Sequence, residues 1–270
     1  MDVRFLRFLE ALCERTPQLG IYILAWDFSA VFSLEREWFQ DLIFDWTTNV
    51  NLHFRFDRVH ATGATHHLKM IIVDGKITFT GGIDICSNRW DDRYHLKSNT
   101  ERTDIEGSIN GADHDIHSYF TGPVVKALSE LFTKRWLDSG GEAPKLPAVQ
   151  SQIQLVAAEA FPLPTHQVAV SWTQARIDSI GQKGIHEIRR LFIDDIMSAD
   201  MLIYLESQYF SSRAIYGSLI ARMTTPDRPL LQVIMILPDR LSFTEELFLG
   251  LPQVNMLRAL QHVAEKTAIV

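Results

Sequence analysis

The spacing of apolar residues along this chain predicts alternating helices and strands. Over residues 3–12, Phe5, Leu6, Phe8, Leu9 and Leu12 recur at helical intervals, with Asp2 placed to cap the start. Gly20 then leads into an unbroken apolar run, 21–26, of the length a buried strand uses. A polar and aromatic stretch over 35–46 predicts a second helix. Strands are predicted over 52–56 and 67–73, the latter turning at Asp74-Gly75 into a partner over 77–79. Residues 115–120 alternate as a strand does, and 122–136 read as a helix with Pro123 at a permitted early position.

Beyond a Gly- and Pro-bearing stretch at 139–150, the alternation begins again. Helix is predicted over 184–198, strand over 201–205, helix over 214–223, strand over 231–237 and a last helix over 254–265. Strand, helix and strand in that order are the units of a parallel sheet. The expected organisation is a first half over 1–138, a linker over 139–150 and a second half over 151–270.

Candidate chemistry concentrates in His67-Leu68-Lys69-Met70-Ile71-Ile72-Val73-Asp74, followed by Gly81-Gly82-Ile83-Asp84. On a strand, residues i and i+2 share a face, so His67 and Lys69 would project together with Leu68 and Met70 buried behind them. An imidazole beside a fixed cation suits attack on a phosphorus that carries negative oxygens. With the glycine pair, Asn88-Arg89-Trp90-Asp91 and His95, this stretch resembles the first His-x-Lys-x4-Asp motif of the phospholipase D superfamily. Two other segments carry the same resemblance. Glu206-Ser207-Gln208-Tyr209-Phe210 is similar to the family's segment between its two motifs, with Ser207 where Asn is usual. His114-Asp115-Ile116, leading to Gly122-Pro123 and Arg135-Trp136, is similar to the segment after the first motif.

The resemblance implies an α/β fold, a mixed sheet flanked by helices, built from a duplicated unit whose second copy is incomplete here. It implies His67 as a nucleophile that forms a phosphohistidine, with Asp115 holding the other ring nitrogen. Lys69 would bind non-bridging phosphate oxygens, and Asp74 would hold the turn of the motif. Gly81 and Gly82 would let the backbone pack closely under the phosphate. Asp84, Arg89, Trp90 and Glu206 fall on the substrate side, Asp84 being otherwise a loop residue paired with Arg89. The implied reaction cleaves a phospholipid to phosphatidate and head-group alcohol, or transfers the phosphatidyl group, without metal or cofactor. No second His-x-Lys-x4-Asp occurs in the chain. The group that protonates the leaving alcohol would therefore lie beyond Val270 or, in a dimer, on a second chain. A cardiolipin synthase-like transferase or a nuclease of the same superfamily is the alternative activity. A catalytically dead lipid- or protein-binding paralogue is the non-enzymatic one.

Composition narrows these readings. The chain has 270 residues, 46% hydrophobic and 22% charged, which is ordinary for a globular protein. A net charge of −7 weighs against nucleic acid as a partner, which calls for a broad basic surface. Two cysteines, Cys13 and Cys86, cannot build a disulfide framework. The sequence contains no signal-peptide pattern and no apolar run of bilayer length, so a cytoplasmic protein touching membranes peripherally is expected. A metal-dependent phosphohydrolase is the rival chemistry, because His66, His67, Asp74, His114, Asp115 and His117 are all suitable ligand types. The strand-like alternation at 115–120 lacks the helical setting that such sites use.

Overall fold

The computed structural model describes residues 3–27, 49–86, 89–104, 107–145, 160–165, 167–238 and 251–267. The helix expected over 35–46 lies outside them, as do Asp2, Asn88 and part of the 139–150 stretch. Helices and several small sheets mix in an α/β arrangement that divides into two compact units, residues 1–170 and 171–270.

In the first unit, helix α1 (Val3–Arg15) precedes two parallel strands, β1 (Ile21–Trp26) and β2 (Leu52–Asp57). The period of two in β2 decides which face is buried. Leu52, Phe54 and Phe56 point into a core with Leu9, packed against Phe5, Leu6 and Leu12 of α1 and Ile21, Ile23 and Ala25 of β1. The opposite face receives the end of helix α2 (Pro123–Asp138), where Tyr22 stacks on His53 and meets Trp136 edge-on at 5.3 Å. Arg55 donates from the same face to the Ser139 carbonyl at 3.1 and 2.9 Å. Helices therefore cover both faces of this parallel pair, as parallel strands require.

An antiparallel meander lies between these elements in sequence: β3 (Lys69–Val73), β4 (Ile77–Gly81) and β5 (His117–Thr121). Asp74 and Gly75, with φ of 53° and 63°, make the tight β3–β4 turn, closed by the Lys76 N–H on the Val73 carbonyl at 3.0 Å. Two left-handed residues in succession match the twist of the strands they join. The expected 67–73 strand is shorter at its start, because His67 and Leu68 precede the ladder. Leu68 is 45% exposed and Met70 half-buried, so neither forms the buried backing expected for His67 and Lys69.

The second unit opens with short strands β6 (Thr173–Gln174) and β7 (Ile185–His186), and continues with helix α3 (Glu187–Ser198). Strand β8 (Leu202–Glu206), helix α4 (Arg213–Met223), strand β9 (Gln232–Ile236) and helix α5 (Leu251–Thr267) follow. Strands β8 and β9 are parallel, as the strand–helix–strand order predicted. Ile203, Leu205, Val233 and Met235 pack on a core of Ile196, Phe210, Leu219 and Leu260. The Arg222 guanidinium is buried and donates to the Ala199, Asp200 and Pro229 carbonyls, satisfying backbone acceptors where α3 ends. No helix among the described residues is long and apolar enough to cross a membrane.

Candidate functional site

Strand register gathers the chemistry at one end of the meander. Lys69 opens β3 opposite Gly81, which closes β4, and Gly81 in turn faces His117, which opens β5. Three strand ends thus bring His67 and Lys69, then Gly81 to Asp84, then Asp115 to His117, into one neighbourhood. Asp74 sits in the turn at the far end of β3, roughly 15 Å away at ~3.4 Å per residue. The structure does not bring it to the other motif residues.

Lys69 is 11% exposed, and its Nζ lies 3.3 Å from Oδ1 of the half-exposed Asp84. Asp84 therefore pairs with Lys69, which corrects the expected pairing with Arg89. Arg89 instead approaches Asp113 at 3.7 Å. His67 is exposed and has no hydrogen-bond partner among the described residues. Partial burial of its ring, together with the Lys69 ammonium, holds its pKa below the ordinary value, while the Asp84 carboxylate pulls the other way. Burial and the ammonium both favour the neutral imidazole, whose unprotonated nitrogen carries the lone pair.

The neighbouring His66 anchors this segment. Its Nε2 lies 3.4 Å from Oδ1 of Asp57, and its ring meets that of His60 edge-on at 5.7 Å. Asp57 ends β2, is 2% exposed, accepts from Arg135 Nε at 2.9 Å and from the Val59 N–H at 3.1 Å, and has Arg135 Nη2 in ion-pair contact at 2.8 Å. Burial opposes ionisation there, but His66, the guanidinium and the amide overcome it and hold the carboxyl below its usual pKa. The carboxyl ends of parallel strands are where open α/β sheets place functional loops, and residues 58–68 leave β2 from such an end.

The glycine pair serves a different contact from the expected one. The Gly82 N–H donates to Oδ1 of Asp115 at 3.2 Å, and the Ile83 N–H to Nε2 of His117 at 3.2 Å. A Cβ on Gly82 would stand 2.6 Å from Oδ2 of Asp115, and one on Gly81 would stand 2.5 Å from the Ile116 carbonyl oxygen. Glycine is needed here so that the backbone can dock against the start of β5. Asp115 also accepts from its neighbour Ile116 at 2.6 Å. Its carboxylate is committed to main-chain amides and makes no hydrogen bond to His67, which departs from the expected imidazole partner.

Asp91, part of the Arg89-Trp90-Asp91 run of the resemblance, is a structural hub. It accepts from His95 Nδ1 at 2.9 Å, the Asp113 N–H at 3.0 Å, the Asp92 N–H at 2.8 Å and the buried Arg102 guanidinium at 3.2 Å. The His95 hydrogen bond above all, helped by the backbone amides and Arg102, holds its pKa down to about 2. His95 Nε2 lies 2.9 Å from Nδ1 of His114, so a carboxylate–imidazole–imidazole chain ties the 91–102 loop to the segment that carries Asp115. His95-Leu96-Lys97 repeats the His-x-Lys spacing, but Arg102 stands where the Asp would fall. His95 is also in left-handed backbone, φ 44°, rather than on a strand. His117 was legible in the sequence only as a metal-ligand type, and Arg102 and Asp57 had no role there. The i, i+2 alternation of Asp115 and His117 was the one usable signal.

Trp90 is exposed. Glu206 ends β8 in the second unit, where it accepts from the Tyr204 hydroxyl and, chiefly by that hydrogen bond, raises the phenol pKa. Among the described residues no three His, Cys, Asp or Glu side chains cluster as a metal site. The ligand types weighed for a metal are dispersed instead: His66 on Asp57, His114 on His95, His117 on the Ile83 amide.

No family model matches the chain. It is, however, similar to plant phospholipases D. Phospholipase D alpha 1 of Carica papaya is 27% identical, with 56% of this chain and 24% of that protein covered. The same figures hold for phospholipase D alpha 1 of Zea mays, and phospholipase D alpha 3 of Arabidopsis thaliana is 26% identical over the same shares. These similarities support a phospholipase D-like relationship. The chain spans about a quarter of the length of the curated relatives it matches.

Proposed function

We propose that this chain carries the His67 side of a phospholipase D-type site that cleaves phospholipid head groups. The observation that carries the reading is a neutral-biased His67 beside Lys69, in a chain related to plant phospholipases D. In this reading the unprotonated His67 nitrogen attacks phosphorus, a phosphorus–nitrogen bond forms, and the head-group oxygen leaves. Lys69 neutralises charge that builds on the non-bridging oxygens, which a flexible ammonium can follow through the displacement. Water, or a second alcohol in a transfer, then attacks the phosphohistidine and releases the phosphatidyl group.

The departing oxygen needs a proton, and the same donor must later activate water. We assign that role to a second His-x-Lys motif outside this chain's 270 residues, on the same polypeptide or on a partner. A duplicated architecture is part of the proposal. A parallel strand pair in each unit, β1–β2 and β8–β9, supports it. Asp115 enters as the residue that fixes Gly82 beside Lys69 and Asp84 rather than as the imidazole's own partner. Asp74 acts through its turn. Phospholipid is the proposed substrate and is reached from the membrane surface.

The test is His67→Asn in protein extended through the next motif, assayed on short-chain phosphatidylcholine. Removing the nucleophile of a covalent mechanism costs about 10³-fold or more in kcat. Quenching the wild type during turnover with labelled lipid should leave an alkaline-stable, acid-labile label on His67. Full activity in the variant would overturn the proposal.

A further inference from the structure

The ion pair at the mouth of this site has a consequence for substrate class. Lys69 Nζ, mostly buried, lies 3.3 Å from the carboxylate of the 50% exposed Asp84. The backbone bearing Asp84 is held: the Gly82 and Ile83 amides are bound by Asp115 and His117, and the Cys86 N–H closes a turn on the Asp84 carbonyl at 3.0 Å. The side chain is the part free to move. His67 senses both charges, one lowering and one raising its basicity, and strand register brings Lys69 and the 81–84 segment to the same end of the meander.

A phosphoryl group that takes up Lys69 must therefore enter next to a negative charge. We propose that Asp84 is a charge filter, which admits singly charged phosphodiesters to Lys69 and disfavours doubly charged phosphomonoesters. The inference rests on the reading that phosphate binds at Lys69. Its physical basis is that repulsion scales with the product of charges, so a dianion meets twice the penalty of a monoanion at the same distance. The carboxylate also supplies Lys69 with a counter-ion while the site is empty, which an amide could not do. In this arrangement Asp84 offsets part of the stronger pull that Lys69 exerts on a dianion, so the balance between the two ligand classes moves toward the diester.

The experiment measures binding of dimethyl phosphate and methyl phosphate to the full chain at pH 8 and low salt. Isothermal titration supplies affinities, and the Lys69 ammonium and His67 ring resonances report the location. Four proteins are compared: wild type, Asp84→Asn, Asp84→Glu and Lys69→Met. Asp84→Asn should tighten methyl phosphate by about tenfold and dimethyl phosphate by about threefold, the smaller factor following from the smaller charge. Asp84→Glu should return both to wild-type values. If Asp84→Asn leaves the ratio of the two affinities unchanged while Lys69→Met weakens both ligands, the filter is overturned and the phosphate site at Lys69 stands. If Lys69→Met weakens neither, or the wild type binds neither, the filter and the underlying site reading fall together.

Discussion

Replacing Arg135 by Met isolates the interaction that ties the functional segment to the parallel strands. The wild-type Asp57 carboxylate is 2% exposed and takes one guanidinium hydrogen bond at 2.9 Å and an ion-pair contact at 2.8 Å on Oδ2. Among the described residues, the variant keeps the Val59 amide at 3.1 Å and the His66 contact at 3.4 Å on Oδ1. Breaking a buried pair from one side costs about 3–5 kcal/mol, because a charge is left in a poorly solvating site. Arg135 is itself 22% exposed, so water partly screens the pair and the lower end applies, about 3 kcal/mol. With a urea dependence of about 2 kcal/mol per molar, the unfolding midpoint should fall by roughly 1.5 M at pH 7. The buried Trp136, next in the chain, offers a fluorescence signal for that transition. Adding Asp57→Asn removes the stranded charge, and the double variant should recover about 1–3 kcal/mol relative to additivity. The pH dependence has a fixed sign. Asp57 is held below its usual pKa in the folded state, so its contribution is complete above the unfolded value of about 3.9 and is lost as pH falls through the folded one. Wild type and variant should converge in acid. A midpoint shift below about 0.5 M, or strict additivity in the double variant, would refute this account of the Asp57–Arg135 pair.

Other outcomes follow from the same geometry. The His67 ring, followed by NMR, should titrate at higher pH in Lys69→Met and at lower pH in Asp84→Asn, since the two charges act in opposite directions. Because the folded pKa is depressed, this residue should also cost stability as pH drops below about 6.5. Gly82→Ala places a Cβ 2.6 Å from the Asp115 carboxylate and should destabilise the first unit by about 1–3 kcal/mol in the same urea assay. His95→Ala removes the main stabiliser of ionised Asp91, so carbon-detected titration should find that carboxyl well above about 2. Glu206→Gln should lower the Tyr204 pKa, read by ultraviolet titration, because the phenol loses the carboxylate that stabilises its proton.

Short-range pattern made much of the architecture legible. The period of two at Leu52, Phe54 and Phe56 fixed the buried face of β2, and Asp74-Gly75 fixed the β3–β4 turn through its backbone preference. Strand–helix–strand order sufficed for the parallel β8–β9 pair. His67 and Lys69 drew notice for the same reason, since two groups two residues apart are neighbours in any local conformation.

Which groups meet across long stretches of chain was decided by tertiary structure. Asp57 and Arg135 are 78 positions apart, and their contact depends on α2 crossing the end of β2. Asp84 reached Lys69 instead of Arg89 because β4 pairs with β3 in the Lys69–Gly81 register. The same register set Asp74 at the far end of the strand and committed Asp115 to the Gly82 amide. Local sequence thus determined the elements and the two residues proposed to carry the chemistry. Their charge environment was set by strand register and helix docking, because electrostatic partners are chosen by distance in space and not along the chain.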